Sequence, residues 1–440
     1  MAVARAKSIG IRETLTSLLP SDELECLAYE SGMIQRRRKV EPSAMLWTLV
    51  LGFATGRERT LAGLRRVYQC VNGTSLVPSA FYDRFTPELV RFLRAVLGEL
   101  CAHLAEHEPA CRGLLSKFAD VVVTDASVVK LHRLLARRYP GTRTNSSPAA
   151  AKLHLVMSVM GKGLEKVKLT GERASDHRTL RMGPWVAGRL LLFDLGYFRY
   201  QLFDCIDRNG GYFLTRVPAG ANPLIVGVNR LWRGRTVALE GQHLHDVAGK
   251  LRRMTLDVDV EVVFQGRIYA GRRSTLRRCF RLIGVRDAET GSYWFYLTNI
   301  PAEELAPESL AQVYACRWQV ELLFKELKSH YRLAELPTRK GRIVEALILS
   351  SIITLLVSRR LLDAVRKRLR RLRHRIPEGR WAALFATAAL NILSLVTLPA
   401  RAAKTLARLV EPMLLQEAVD PNKSRLLLLQ RVDQGVAWAR

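Results

Sequence analysis

Residues 117–127, KFADVVVTDAS, decide the fold. The chain before them reads as helix. Here a β-branched run leads into Asp125, the pattern of a short buried strand ended by a carboxylate. Working outward, AAKLHLVMSVM (150–160) and LEKVKLTG (164–171) read as a second and third strand, with GKG between them as the turn. Residues 174–187 read as helical or irregular. RLLLFDLG (189–196) is a fourth strand and again ends in a carboxylate, Asp194. RYQLFDCIDRNG (199–210) is a helix closed by Asn-Gly, and GYFLTRVP (211–218) is a fifth strand stopped by Pro218. Three consecutive strands, then helix, strand, helix and strand, fit an α/β sheet.

The flanks differ. Upstream, LWTLVLGFATGRERTLAGLRRVYQ (46–69) begins as a buried helix, breaks at Gly56 and continues as a basic amphipathic one, with further breaks at Gly73 and Pro78. TPELVRFLRAVLGELCAHLAEH (86–107) is a helix with Thr86 as cap and Pro87 at its first position. Arg57, Arg59, Arg65 and Arg66 on or near these turns suit DNA docking or a solvated basic face. Downstream, VALEGQHL (237–244), DVDVEVVF (257–264) and GSYWFYLTNI (291–300) read as short strands in a β-rich module that interrupts the core. From Ala306 to near residue 415 the pattern is helical. The expected units are a helical N-terminal DNA-binding domain (1–112), the first part of the core (113–218), a β-strand insertion (219–304), the rest of the core (305–360) and a basic helical C-terminal region (361–440).

Lys and Arg number 69 against 40 Asp and Glu in 440 residues, a formal charge of +29. Hydrophobic residues reach 48%, enough for substantial cores, so a wholly disordered basic chain is excluded. The excess favours a polyanionic partner, nucleic acid or an anionic membrane surface, and the many arginines suit phosphate. The seven cysteines include no CxxC pair and read as free thiols, neither a disulfide framework nor a zinc site. The N-terminus lacks a continuous apolar run of signal-peptide type. Residues 381–400 carry no charge and are long enough to span a bilayer. Their alanines and polar residues favour a buried helix instead, and no second span of that length is expected.

Asp125 and Asp194 each follow an apolar strand. Either alone suits a structural or solvent role. On adjacent strands they would converge, and converging carboxylates need protons or a hard cation such as Mg²⁺. Asp120, at the other end of the first strand, should point away. The helix SLAQVYACRWQVELLFKELKSH (309–330) offers a third carboxylate. With Tyr314 at 0° and ~100° per residue, Arg317 falls at ~300°, Glu321 at ~340° and Lys328 at ~320°, one polar stripe. Glu326 falls at ~120°, on another face. The stripe is either a surface ion ladder, since Arg317 and Glu321 are four apart, or a metal ligand flanked by phosphate-binding cations.

Tyr314-(2)-Arg317-(3)-Glu321-(6)-Lys328 resembles, in residue type and spacing, the Tyr–Arg–Glu–Lys signature of a large group of DDE transposases from bacterial insertion sequences. So do its surroundings, Y-x-x-R-W-x-V-E-x-L-F-K-x-L-K, with FYDRFT at 81–86, DLGYF from Asp194 and YFLTRV at 212–217. The resemblance covers roughly residues 40–350. It implies an α/β ribonuclease-H-like core interrupted by a β-rich insertion domain, with Asp125, Asp194 and Glu321 as catalytic metal ligands for two Mg²⁺, which Mn²⁺ could replace. It implies DNA cleavage and strand transfer at terminal inverted repeats, through a hairpin intermediate, by a DNA-bound dimer in the bacterial cytoplasm and nucleoid, with no membrane partner. Arg317 and Lys328 would clamp DNA phosphates and Tyr314 would add a hydrogen bond near a flipped base. Trp294, in W-x-x-x-T at 294–298, would stack that base or simply pack as a strand aromatic.

Arg216 is a further phosphate-contact candidate or merely a surface residue. Asp176 and His177 could form an acid–base pair that two-metal chemistry does not need. The run Arg366, Lys367, Arg368, Arg370, Arg371, Arg373 and Arg375 is denser than a solvated face requires, which suggests DNA-backbone contact at Arg368 and Arg371 in particular. Two competing readings share the core. One is a related nuclease that cuts without joining. The other is a DNA-binding protein without activity.

Overall fold

The computed structural model describes residues 9–35, 40–53, 60–105, 113–142, 147–159, 164–175, 179–230, 238–269, 272–336, 338–369 and 376–420. Among these residues six helices come first: α1 (Ile11–Leu18), α2 (Ser21–Glu30), α3 (Pro42–Trp47), α4 (Leu61–Asn72), α5 (Pro78–Tyr82) and α6 (Pro87–Ala105). A π-helical turn, Thr48–Gly52, prolongs α3. Caps set the later helices. Thr60 Oγ1 accepts the Gly63 N–H at 3.0 Å and Gly73 closes α4 at φ 64°. The Leu89 N–H donates to Thr86 Oγ1 at 3.3 Å, the expected cap of α6.

Nine strands follow: β1 (Val121–Lys130), β2 (Ala150–Ser158), β3 (Leu164–Gly171), β4 (Leu190–Phe193), β5 (Tyr212–Arg216), β6 (Leu224–Val228), β7 (Thr255–Tyr269), β8 (Arg272–Arg286) and β9 (Tyr293–Thr298). They form one sheet in the order β3-β2-β1-β4-β5-β9-β8-β7-β6. β1–β4 and β4–β5 are parallel, and the other pairs are antiparallel. Helix α7 (Tyr200–Arg208) connects β4 to β5, and the short α8 (Leu244–Ala248) precedes β7. Gly188, at φ 68°, makes the turn into β4 and exchanges backbone hydrogen bonds with Ala119 and Gly210. The molecule is thus a mixed α/β core flanked by N-terminal and C-terminal helices, as expected.

The central strands are covered on both faces, which is why their sequences read as unbroken apolar runs. Val121, Val123, Leu190, Leu192 and Leu214 join one core with the N-terminal and C-terminal helices. Val122, Leu191, Phe193 and Phe213 join a second core with Phe203 and Ile206 of α7. Beyond β5 the segment expected as a β-rich module interrupting the core extends this same sheet through the β5–β9 pair. Its strands are not all short, because β7 and β8 make a hairpin of fifteen residues on each side. Part of VALEGQHL, expected as a strand, leads into α8 instead.

The C-terminal part contains α9 (Pro307–Tyr314), α10 (Trp318–Ser329), α11 (Gly341–Leu369), α12 (Glu378–Thr397) and α13 (Ala400–Ala418). Two of these, α11 and α12, are long and apolar enough to cross a membrane by length and composition. The expectation of no second such segment is therefore corrected: between Glu345 and Arg359 the helix α11 carries no charge and is mostly apolar. Both helices pack into the core, and 83% of the most apolar window of α11 is buried. Thr354 of α11 donates to the Val50 carbonyl at 2.6 Å. The buried Glu411 of α13 accepts the N–H groups of Ile9 and Ile11 at 2.7 and 2.9 Å, satisfying the start of α1.

Candidate active site

Three elements carry the acidic residues. Asp125 is the fifth residue of β1, which continues to Lys130 paired with β2. It is therefore in mid-strand, not at the strand end that its polar neighbours suggested. Asp194 directly follows β4. β1 and β4 run parallel with Val121 beside Leu190 and Val123 beside Leu192. The same offset, carried forward, sets Asp125 beside Asp194. Alternation puts both on the face of Val121, Val123, Leu190 and Leu192, where α10 packs through Val320, Leu323 and Leu327. Asp120 is buried away from them, with its Oδ1 accepting from Ser158 Oγ at 2.9 Å.

Asp125 is half-buried. Burial pushes its carboxyl up to about 6, and the negative charges of Asp194 and Glu321 add to that rise. The Ala126 N–H, donating to it at 2.7 Å, and the Arg317 guanidinium oppose it. Among the described residues no three His, Cys, Asp or Glu side chains are gathered closely enough to hold an ion.

The stripe expected on one continuous helix runs across a junction. Tyr314 ends α9, Ala315–Arg317 form a 3₁₀ turn, and α10 begins at Trp318. The tighter turn shifts the angles that a uniform helix would give. Arg317 is buried, and its guanidinium donates to Glu321 at 2.7 Å. That hydrogen bond raises the Arg317 pKa although burial opposes it. The buried Tyr314 hydroxyl donates to the Phe193 carbonyl at 3.0 Å, beside Asp194. Its ring packs edge-on to Tyr296 of β9, and burial raises its pKa well above the usual phenol value. Lys328 is half-buried near the end of α10.

Arg216, the last residue of β5, lies with its guanidinium carbon 4.1 Å from the Trp294 ring centre. Trp294 is 38% exposed and pairs with Val285 of β8. Arg368 is near the end of α11. Arg57, Arg59 and Arg371 lie outside the described residues, as do Asp176 and His177. Two features escaped the sequence reading. Trp318 and Leu322, next to Arg317 and Glu321, are 51% and 52% exposed, and a tryptophan open to solvent beside a signature arginine was the available sign. Arg359, buried in α11, is the other. It interrupts the apolar run LLVSRRLL at 355–362.

The sequence profile of the transposase DDE domain matches residues 116–357, more than half of the chain. The transposase of insertion sequence element IS231F from Bacillus thuringiensis subsp. israelensis is 23% identical over 380 residues, covering 78% of this chain and 78% of that protein. The transposase of IS1151 from Clostridium perfringens is 21% identical over 371 residues, with coverage of 76% and 78%. A cryo-EM structure of a piggyBac transposase synaptic complex with hairpin DNA aligns over 99% of this chain and 86% of that one, at a TM-score of 0.47 and 9% identity. With acidic residues on adjacent parallel strands, the signature helix above them and the matching profile, the chain belongs to the transposase DDE domain family.

Proposed function

We propose that this chain cuts DNA at the terminal inverted repeats of an insertion sequence and joins the freed 3′ ends to target DNA. Asp125, Asp194 and Glu321 are the catalytic carboxylates. The observation that supports this most is the β1–β4 register, which ends two residues before both Asp125 and Asp194, on the face covered by the helix of Glu321. A half-buried carboxyl pushed up by burial, and further by two neighbouring acids, is an under-neutralised site, and its hard oxygen donors suit divalent Mg²⁺ or Mn²⁺. Bound divalent cations supply Lewis-acid stabilisation of the attacking and leaving oxygens in phosphoryl transfer.

The chain's own groups do the rest. Arg317 holds Glu321 in the free protein and offers a desolvated positive charge to a scissile phosphate. Lys328 adds a second cation on the same helix. Tyr314 braces the backbone before Asp194 and lies near the same phosphate. The exposed ring of Trp294 offers a stacking surface for a base displaced at a DNA hairpin, once Arg216 moves aside. Arg368 and the basic residues after it hold duplex non-specifically. Two ends must be held together, so the DNA-bound form is a dimer acting in the bacterial cytoplasm.

The test uses the purified full chain, Mg²⁺ and a duplex carrying the genomic sequence that flanks its reading frame. The expected result is cleavage at the element boundaries and joined product. Replacing Asp125, Asp194 or Glu321 by Ala abolishes both and leaves end binding largely intact. Persistent cleavage by all three variants rejects the site, and cleavage without joined product makes the chain a nuclease instead.

A further inference from the structure

Glu321 and Glu326 leave α10 on different faces, about 140° apart. Glu321 is paired with Arg317, and its charge acts on Asp125 of the sheet. Glu326 is 4% exposed and is bonded by the guanidinium of Arg359, itself buried in α11. The charges continue outward. Arg359 Nη1 is 3.7 Å from Glu378 at the start of α12, and Arg366 Nη2 donates to Glu378 at 2.7 Å and to the Ile376 carbonyl at 2.8 Å. A polar seam runs alongside. The Tyr331 hydroxyl donates to Ser358 Oγ at 2.7 Å, and Trp381 Nε1 donates to the Ser358 carbonyl at 2.9 Å.

The surroundings are apolar: Leu323, Leu327, Leu355, Leu362 and Phe385 are all buried in the same core. Burying an ion pair there removes two charges from water, and an apolar pair of similar volume stabilises a bundle as well or better. Arg359 Nε has no hydrogen-bond partner among the described residues, so the pair is not optimised for stability. A directional contact does what an apolar one does not: it sets the rotation and axial position of a helix. Rotation of α10 about its axis swings Glu321 relative to Asp125 and Asp194, and displacements near ~1 Å suffice to slow chemistry about a hundredfold.

We propose that Glu326 and Arg359 are positioning residues that fix the rotation of α10 and so aim Glu321 at the other two carboxylates. The inference rests on the reading of Glu321 as catalytic. It also extends that site to Glu378 and Arg366, where the basic C-terminal run begins, so the catalytic helix and that run share one charged network.

The test replaces the pair by an apolar one, Glu326→Met with Arg359→Met, in the full chain, and also makes Glu326→Asp, which keeps the charge and shortens its reach. Both are compared with wild type on the flanking-sequence duplex. Thermal melting, metal-free end binding and amide exchange across residues 318–329 are followed beside single-turnover cleavage. The expected result for the apolar pair is melting and end binding close to wild type, altered exchange confined to α10, and cleavage slower by roughly tenfold or more. Glu326→Asp is expected to slow cleavage by at least about threefold at unchanged binding. If the apolar pair folds and cleaves at the wild-type rate, the network is only structural and the proposal fails. Should the apolar pair not fold, Glu326→Asp decides: wild-type cleavage by that variant overturns the proposal. A wild-type chain that does not cleave at all would sink the function proposed for the three acids instead, so the two failures are distinguishable.

Discussion

The two halves of the nine-stranded sheet treat buried charge in opposite ways. In the half built on β7, β8 and β9, Arg281 and Asp257 are almost fully buried and almost fully satisfied. Two nitrogens of the guanidinium donate to the two Asp257 oxygens at 2.8 and 2.6 Å. Arg281 also donates to the carbonyls of Pro301 and Leu305 at 3.0 and 2.9 Å, which pins the connection from β9 to α9. In the half built on β1 and β4, Asp125 has one backbone N–H and a distant guanidinium against two neighbouring acids. A buried charge with complete partners holds the chain in place. A half-buried charge left incomplete makes Asp125 a candidate for binding something else.

This contrast predicts separable effects of mutation. The largest concerns activity. Asp125→Asn keeps the shape of the side chain but not its charge, and should lower cleavage by about a thousandfold or more while leaving end binding unchanged. Gel analysis of cut products against a binding titration checks it. A variant that cuts normally would remove Asp125 from the site. On the hairpin side, Arg281→Met leaves Asp257 buried with the Asn229 amide at 3.3 Å but without its cation, and should cost about 3–5 kcal/mol of stability. Adding Asp257→Asn should recover much of that loss. Thermal melting of the single and double variants tests the coupling, and equal melting temperatures would mean that the pair contributes nothing.

The contrast was only half legible in the sequence. The apolar runs before Asp125 and Asp194 are visible because strands covered on both faces admit few polar residues. The strand boundary was not, since Thr124, Asp125 and Ser127 look like an end although β1 continues through Val128 and Val129 to pair with β2. The signature residues are legible by spacing. Their geometry is not, because the break after Tyr314 is a 3₁₀ turn that carries no proline or glycine to announce it. Arg281 reads as one more arginine on a basic strand. Only the register Asp259↔Arg281, with Asp257 two residues earlier on β7, turns it into a buried clamp, and register between distant segments is set by tertiary packing. The same holds for Glu326, whose partner lies in another helix.

A third prediction concerns pH in metal-free buffer with chelator. Asp125 has a folded pKa of about 6, above its unfolded value near 4. Folding therefore favours the protonated form. The stability that this carboxyl confers is fully present below pH ~4 and is lost as pH rises through ~6. The loss is on the order of 2–3 kcal/mol. Melting temperatures at pH 5 and pH 8 should fall further apart for wild type than for Asp125→Asn. Identical pH dependence in the two proteins would show that neither burial nor the neighbouring acids raise the Asp125 pKa in the folded chain.

The smallest predicted effect supplies the control for the whole comparison. Arg277 and Glu261 pair diagonally across β7 and β8 at 3.0 Å, in the same hairpin as the Arg281 clamp, but Arg277 is 70% exposed. Water screens that pair and both partners are solvated without it, so Arg277→Ala should change stability by no more than about 0.5 kcal/mol. A large loss at Arg277 would mean that hairpin stability follows the number of ion pairs and not their burial. The difference between Arg281 and Asp125 would then need another cause. A negligible loss at Arg277 beside a large one at Arg281 leaves burial and completeness of partners as the property that separates a structural charge from a reactive one in this sheet.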